Sequence, residues 1–169
     1  VLHWQQGLDY EVIALQAVMA DLLQGDTIHH ACGIPARKKG SEGDVVIQSH
    51  KEVADKSLYW RWLLIDEFGM VGSSLLAEID MKLRDVVVDV NPYKLSTSGH
   101  AYPFGGLNVL LSGDLWQLPP PCGGFLGNIP AEFIFNARKY NPKVTIAHGQ
   151  SLLWGGPENK EWAFHGVTE

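Results

Sequence analysis

The sequence predicts an α/β fold, a mainly parallel sheet flanked by helices, and three observations carry that expectation. Two apolar runs, "RWLLIDE" (Arg61 to Glu67) and "LNVLLSG" (Leu107 to Gly113), each give way to acidic residues. Between them, "LLAEIDMKLRDVV" repeats apolar residues at Leu75, Leu76, Ile79, Leu83 and Val86, the stripe of an amphipathic helix. Two apolar strands joined by a helix read as a β-α-β unit, because parallel neighbours need a crossover between them. In such sheets ligands sit at the carboxyl ends of the strands, where both acidic turns would lie.

The elements follow in order. "EVIALQAV" (Glu11 to Val18) is a short β-prone run, and "MADLLQGD" after it reads as a helix stopped by Gly25. "DTIHHACGI" has the form of a helix start with Asp26 or Thr27 as N-cap. Residues 35–44, "PARKKGSEGD", form a polar loop containing Gly and Pro. The continuous apolar run from Arg61 to Glu67 is the pattern of a strand buried on both faces. Gly72-Ser73-Ser74 then supplies a serine cap for the amphipathic helix. "NPYKLSTSGHAYPFGG" (Asn91 to Gly106) is a long turn-rich loop that leads into the second buried strand. The central strands of the sheet are expected to include Leu63–Asp66 and Leu107–Ser112, side by side and parallel.

Composition narrows the class. A chain of 169 residues, 46% of them hydrophobic, is enough for one domain with a real core. No run approaches the ~18 consecutive apolar residues of a membrane span, so no membrane partner is expected. Cys32 and Cys122 lie far apart without CxxC spacing and read as reduced thiols of an intracellular protein. The formal net charge of −6 rules out a generic polyanion-binding surface, so any nucleic-acid contact must be local. The chain opens at Val1 without a methionine and stops abruptly at Glu169, which reads as a piece of a longer protein.

The chemistry sits at the strand ends. At a strand terminus Asp66 can hold a hydrated Mg²⁺, and Glu67 can polarise a water for attack on a phosphoryl group. At the end of the second run, Gly113-Asp114 and Gln117 precede Pro119, Pro120 and Pro121. A neutral amide there can bond a γ-phosphate oxygen. The three prolines fix φ and stiffen the segment behind it. Asp114 has a plainer reading as the cap of its own turn. A further alternative, a metal-dependent hydrolase using Asp66 and Asp114 as a pair, lacks the additional ligands of a two-metal site.

These residues resemble a known family. "LLIDEFGMV" is similar to the Walker B segment of Pif1-type helicases, and "FGGLNVLLSGDLWQLPP" to their motif III. "GDTIHHACGI" resembles the segment that follows motif Ia, and "SLLW" (Ser151 to Trp154) matches a leucine-tryptophan pair. The resemblance runs over nearly the whole chain. It implies a RecA-like first motor domain, one partial domain over residues 1–169, of an ATP-dependent 5′-to-3′ DNA helicase. It implies Asp66 as the Mg²⁺-associated carboxylate, Glu67 as catalytic base and Gln117 as γ-phosphate sensor, with Asp114 beside the nucleotide. Thr27 and His29 would lie near the single-strand path. The partners it implies are single-stranded DNA or duplex junctions. The implied roles are DNA repair, recombination and telomere maintenance, in the nucleus or mitochondrion if the source is eukaryotic.

The sequence departs from the family in two places. No GxxxxGK[ST] occurs within these residues, so the Walker A strand and loop are expected upstream and the isolated chain is expected to lack ATPase activity. "ALQAV" (Ala14 to Val18) stands where the family has APTG. A catalytically inactive helicase-like module that binds DNA or protein is the alternative reading. Other features read as structural. His29, His30 and Cys32 point in different directions on a helix and read as a packed or solvated cluster rather than zinc ligands. Arg37-Lys38-Lys39 reads as a solvated loop. Trp62 lies in an apolar run and reads as core, whereas Trp116, in a turn, is the candidate for base stacking.

Overall fold

A computed structural model describes residues 3–35, 49–90, 102–121, 124, 126, 149 and 152–153. The Arg37-Lys38-Lys39 run, most of the 35–44 loop, residues 91–101, Cys122, Ser151 and Trp154 lie outside the described residues. The fold divides into two compact units. One holds the chain up to Asp66 together with Lys82–Ser112, the other Glu67–Met81 together with the chain from Gly113 onward.

The first unit is built on four parallel strands, β1 (Tyr10–Ala14), β2 (Asp26–Thr27), β3 (Trp62–Asp66) and β4 (Asn108–Leu111). They are ordered β2-β1-β3-β4, and every ladder is parallel, as the apolar runs and intervening helix lead one to expect. From β1 the chain steps outward to β2, then crosses back over β1 to place β3 on its other side. The strand order therefore reverses between β1 and β3.

The helices among the described residues include α1 (Ala17–Leu22), α2 (Ile28–Ala31), α3 (His50–Ser57) and α4 (Ser73–Val90). The β-prone run from Glu11 stops at Ala14, earlier than its composition suggests, because Ala17 already opens α1. That helix ends at Leu22, and the Gly25 amide closes its last turn on the Ala20 carbonyl at 2.8 Å. Thr27, not Asp26, is the N-cap of α2, its hydroxyl accepting from the His30 amide at 3.3 Å. Ahead of α3, Ser49 and Glu52 form a reciprocal capping box that pulls the Glu52 carboxyl below its usual range. Val53 and Ala54 of α3 form a small core with Val86 of α4.

Two expectations about burial need correction. The run at β3 is fully buried on one face only: Leu63 and Ile65 have no exposure, whereas Trp62, Leu64 and Asp66 are half-buried. Trp62 is covered in part by Trp4, ring centroid to ring centroid 6.0 Å, and among the described tryptophans it is Trp60 that reaches the core. The second run is not a buried strand. Within β4, Asn108 and Leu110 are exposed and Val109 and Leu111 half-buried. Among the described residues β4 bonds only β3, and its exposed residues Asn108 and Leu110 alternate with the half-buried Val109 and Leu111, so it is one face of the strand that lacks cover there. The expected stripe on α4 holds for Leu76, Ile79, Leu83 and Val86, which are buried, and Leu75 is half-buried.

Candidate functional site

Parallel register lines up the carboxyl edge of the first unit. Ala14 of β1 pairs with Thr27 of β2 on one side and Asp66 of β3 on the other, so these three residues form one row. One step along, the Ser112 amide donates to the Ile65 carbonyl at 2.9 Å, so the chain leaves β4 at this same edge. The reversal of strand order falls between Ala14 and Asp66, the position where open α/β sheets bind ligands. The Asp66 carboxylate is half-buried and takes no hydrogen bond or ion pair among the described residues.

Beside this row Asp26 gathers several polar and charged groups, among them Lys56, which the sequence did not single out. One carboxylate oxygen accepts from the Thr27 amide at 2.7 Å, and the other meets His30 Nδ1 at 2.5 Å. The same oxygen lies 3.9 Å from Lys56 Nζ on α3. His29, one residue back along α2, is half-buried. Glu11 points to the same sheet face two rows below Asp26, and burial, reinforced by the Asp26 charge, pushes its carboxyl above the usual range. Burial likewise pushes the Cys32 thiol up to about 12, with Asp26 and Glu11 adding to the effect.

The second unit brings two turns together. Glu67 takes a left-handed conformation, φ 52 and ψ 41, a cost of about 1–3 kcal/mol for a residue with a side chain. A single 3-10 turn, Phe68–Met70, follows, with the Met70 amide donating to the Glu67 carbonyl at 2.9 Å. The other turn runs from Gly113 to Gln117. Asp114 Oδ1 accepts from the Trp116 amide at 2.8 Å, so one oxygen of Asp114 closes its own turn. The Asp114 carbonyl accepts from the Gln117 amide at 3.4 Å.

The two turns touch through backbone. A β-carbon on Gly113 would lie 2.8 Å from the Phe68 nitrogen and 3.1 Å from the Glu67 Cα. A β-carbon on Gly69 would run into the Asp114 carbonyl oxygen. The Glu67 and Gln117 side chains take no hydrogen bond or ion pair among the described residues. Trp116 is 96% exposed and Leu118 73%, so the indole stands in solvent beside Gln117.

The candidates thus fall into two groups, each assembled within its own unit: Thr27 and Asp66 in one sheet row, and Glu67, Asp114 and Gln117 in two abutting turns. Gly69, which the sequence reading passed over, carried no local signal. It is a buried glycine outside the left-handed region, which only a close approach explains.

The all-parallel sheet with Asp66 at its switch point defines an α/β domain, and its likeness to Pif1 helicase structures places it in the RecA-like class. The profile of the PIF1-like helicase family matches residues 9–131, and the chain belongs to that family. It is 31% identical over 110 residues to the ATP-dependent DNA helicase RRM3 of Saccharomyces cerevisiae, covering 64% of this chain and 14% of that protein. It is 26% identical over 141 residues to human ATP-dependent DNA helicase PIF1, covering 83% of this chain and 20% of the relative. Bacteroides Pif1 bound to single-stranded DNA superposes with a TM-score of 0.52 and 31% identity over 69% of this chain and 25% of that one. The Bacteroides helicase with ADP-AlF3 and single-stranded DNA matches with a TM-score of 0.52 and 31% identity, over 68% of this chain and 24% of that one. The chain therefore spans well under a third of the length of these relatives.

Proposed function

We propose that the chain belongs to the first motor domain of an ATP-dependent DNA helicase that couples ATP hydrolysis to 5′-to-3′ unwinding. The observation that carries the reading is the row Thr27–Ala14–Asp66 at the switch point of a parallel sheet, in a chain of the PIF1-like family. A half-buried carboxylate without a partner among the described residues suits Mg²⁺, which keeps several waters and takes one or two carboxylates plus phosphate oxygens. Bound there, the ion supplies charge neutralisation on the phosphates of ATP.

The chain's own residues then divide the work. Asp66 holds the hydrated ion, and Glu67 orients and deprotonates the attacking water. The Gln117 amide donates to a γ-phosphate oxygen, with the free oxygen of Asp114 beside it. Thr27 and His29 border the path of the single strand, and the exposed Trp116 indole stacks on a base. Support for nucleotide and DNA as ligands comes from similar proteins, whose structures carry ADP-AlF3 and single-stranded DNA. The proposal extends to roles in repair, recombination and telomere maintenance, and to a nuclear or mitochondrial site in a eukaryote.

Phosphate binding in such sites depends on P-loop amides and lysine, and residues 1–169 contain no GxxxxGK[ST]. The isolated chain is therefore expected to be inactive. For the isolated chain alone, the same observation favours the second reading, an inactive helicase-like module. The test is ATPase turnover by the full-length protein, with and without single-stranded DNA. Wild type should be Mg²⁺-dependent and DNA-stimulated, and Glu67→Gln should reduce turnover by about 10²–10⁴-fold while DNA binding persists. A wild-type protein that binds DNA but hydrolyses no ATP would establish the second reading instead.

A further inference from the structure

We infer that Gly69 and Gly113 are positioning residues that lock the Glu67 turn to the Gln117 turn, so that the water-activating carboxylate and the phosphate-reading amide move as one piece. The inference rests on the helicase reading above. It starts from space. At Gly113 a β-carbon would sit 2.8 Å from the Phe68 nitrogen and 3.1 Å from the Glu67 Cα, closer than side-chain carbons normally approach backbone. At Gly69 it would collide with the Asp114 carbonyl oxygen and stand 3.1 Å from its carbon and 3.6 Å from the Leu115 Cα. Each turn therefore offers a glycine to the backbone of the other, and the contact is reciprocal.

The two glycines differ in what they require. Gly113 has φ +145, a conformation that favours glycine whatever its neighbours. Gly69 lies outside the positive-φ region, and within a short helical turn glycine costs conformational entropy. Only the approach of Asp114 accounts for it. That carbonyl is also the acceptor for the Gln117 amide at 3.4 Å. On the other side, Gly69 lies inside the turn closed by the Met70 amide on the Glu67 carbonyl at 2.9 Å. A short backbone chain thus runs from Glu67 through Gly69 and the Asp114 carbonyl to Gln117.

This contact explains how Glu67 keeps an unfavourable left-handed backbone. Such conformations persist where surrounding structure over-determines them, and here the Gly113 backbone lies against its Cα. Rotation of Glu67 toward ordinary strand geometry would have to displace Gly113, and with it the segment that carries Gln117. A change at the phosphate end is therefore transmitted to the base without any intervening side chain.

The test uses Gly69→Ala in the full-length protein. Steady-state ATPase should show kcat falling by about 10–10²-fold, because a displacement of this size misplaces the reacting groups. The KM for ATP and the Kd for a single-stranded oligonucleotide should change by less than about 2-fold, since neither depends on the lock. In the double variant Gly69→Ala/Gln117→Ala, kcat should fall no further than in Gln117→Ala alone, because both act through one path. Multiplying losses, an effect confined to KM, or unchanged kcat would each overturn the inference. If Gly69→Ala does not fold, hydrogen exchange on the wild-type protein decides. A non-hydrolysable ATP analogue should change protection in residues 67–71 and 113–117 together, and a change in one turn alone would overturn the lock. A wild-type protein without any ATPase activity would instead fail the helicase reading itself.

Discussion

Strands β3 and β4 share an apolar vocabulary and part company in their surroundings. β3 bonds a neighbour on both sides and buries Leu63 and Ile65 completely. β4 bonds β3 alone among the described residues and leaves Leu110 51% exposed. The same side-chain chemistry therefore contributes very different free energies, because burial rather than composition sets the hydrophobic gain. The difference also separates two tasks. β3 anchors the sheet and presents Asp66 at its end, while the chain after β4 carries Trp116 and Leu118 exposed to solvent.

The largest expected effect would break this comparison if it failed to appear. Ile65→Ala should cost about 2–5 kcal/mol of stability, as cavity formation in a close-packed site does. Leu110→Ala should cost about 1 kcal/mol or less, since half of that side chain is already in water. Urea unfolding of the two variants checks this, and equal losses would mean that β4 is as buried as β3 in solution.

A smaller effect sharpens what β4 delivers. Gln117→Ala should leave folding and ATP binding intact but slow DNA-stimulated hydrolysis and strand displacement together, by about 1.5–3 kcal/mol for one hydrogen bond to a charged group. Paired ATPase and unwinding assays measure it. Wild-type rates in both would reduce Gln117 to a turn residue.

The smallest effect concerns the neighbour of β3 on its other side. Glu11 pairs with Leu63, and burial raises its carboxyl above the ordinary 4.5. The unfolded chain therefore releases this proton first. Stability should fall as pH rises from 4.5 through the folded value, and the penalty should then stay constant. Glu11→Gln keeps the oxygen that accepts from the Val12 amide and removes the charge. Thermal melts should show Glu11→Gln more stable than wild type at pH 7 and indistinguishable below pH 4. A variant that is less stable at pH 7 would show that Lys56, which opposes the shift, outweighs burial.

Much of this architecture could be read from local pattern. Apolar runs and a 3.6-residue stripe are properties of neighbouring residues, so β3, α4 and their parallel relation were legible from Leu63 to Leu110. What covers the face of a strand is not local, so β4 read as buried although Asn108 and Leu110 are exposed. Asp26 illustrates the same limit. Its links to Thr27 and His30 lie within one turn of chain, but Lys56 reaches it from α3 and Glu11 from β1. Gly69 was illegible for a related reason, since its meaning comes from Asp114, a residue far along the chain. Trp60 and Trp62 show how fine the margin is: two residues apart, only the former enters the core, with its indole nitrogen donating to the Gly7 carbonyl at 3.3 Å.

The buried Cys32 thiol gives the sheet edge an internal clock. With its pKa pushed up to about 12, only about one thiol in 10⁴ is ionised at pH 8 while the fold is closed. The thiolate is the reactive form, so alkylation of the native protein must wait for the chain around α2 to open. In a protein whose other cysteines are silenced, the rate of that reaction counts openings of the segment next to Thr27 and His29. Ligands that hold this segment shut would slow the clock, and ligands that bind elsewhere would leave it running.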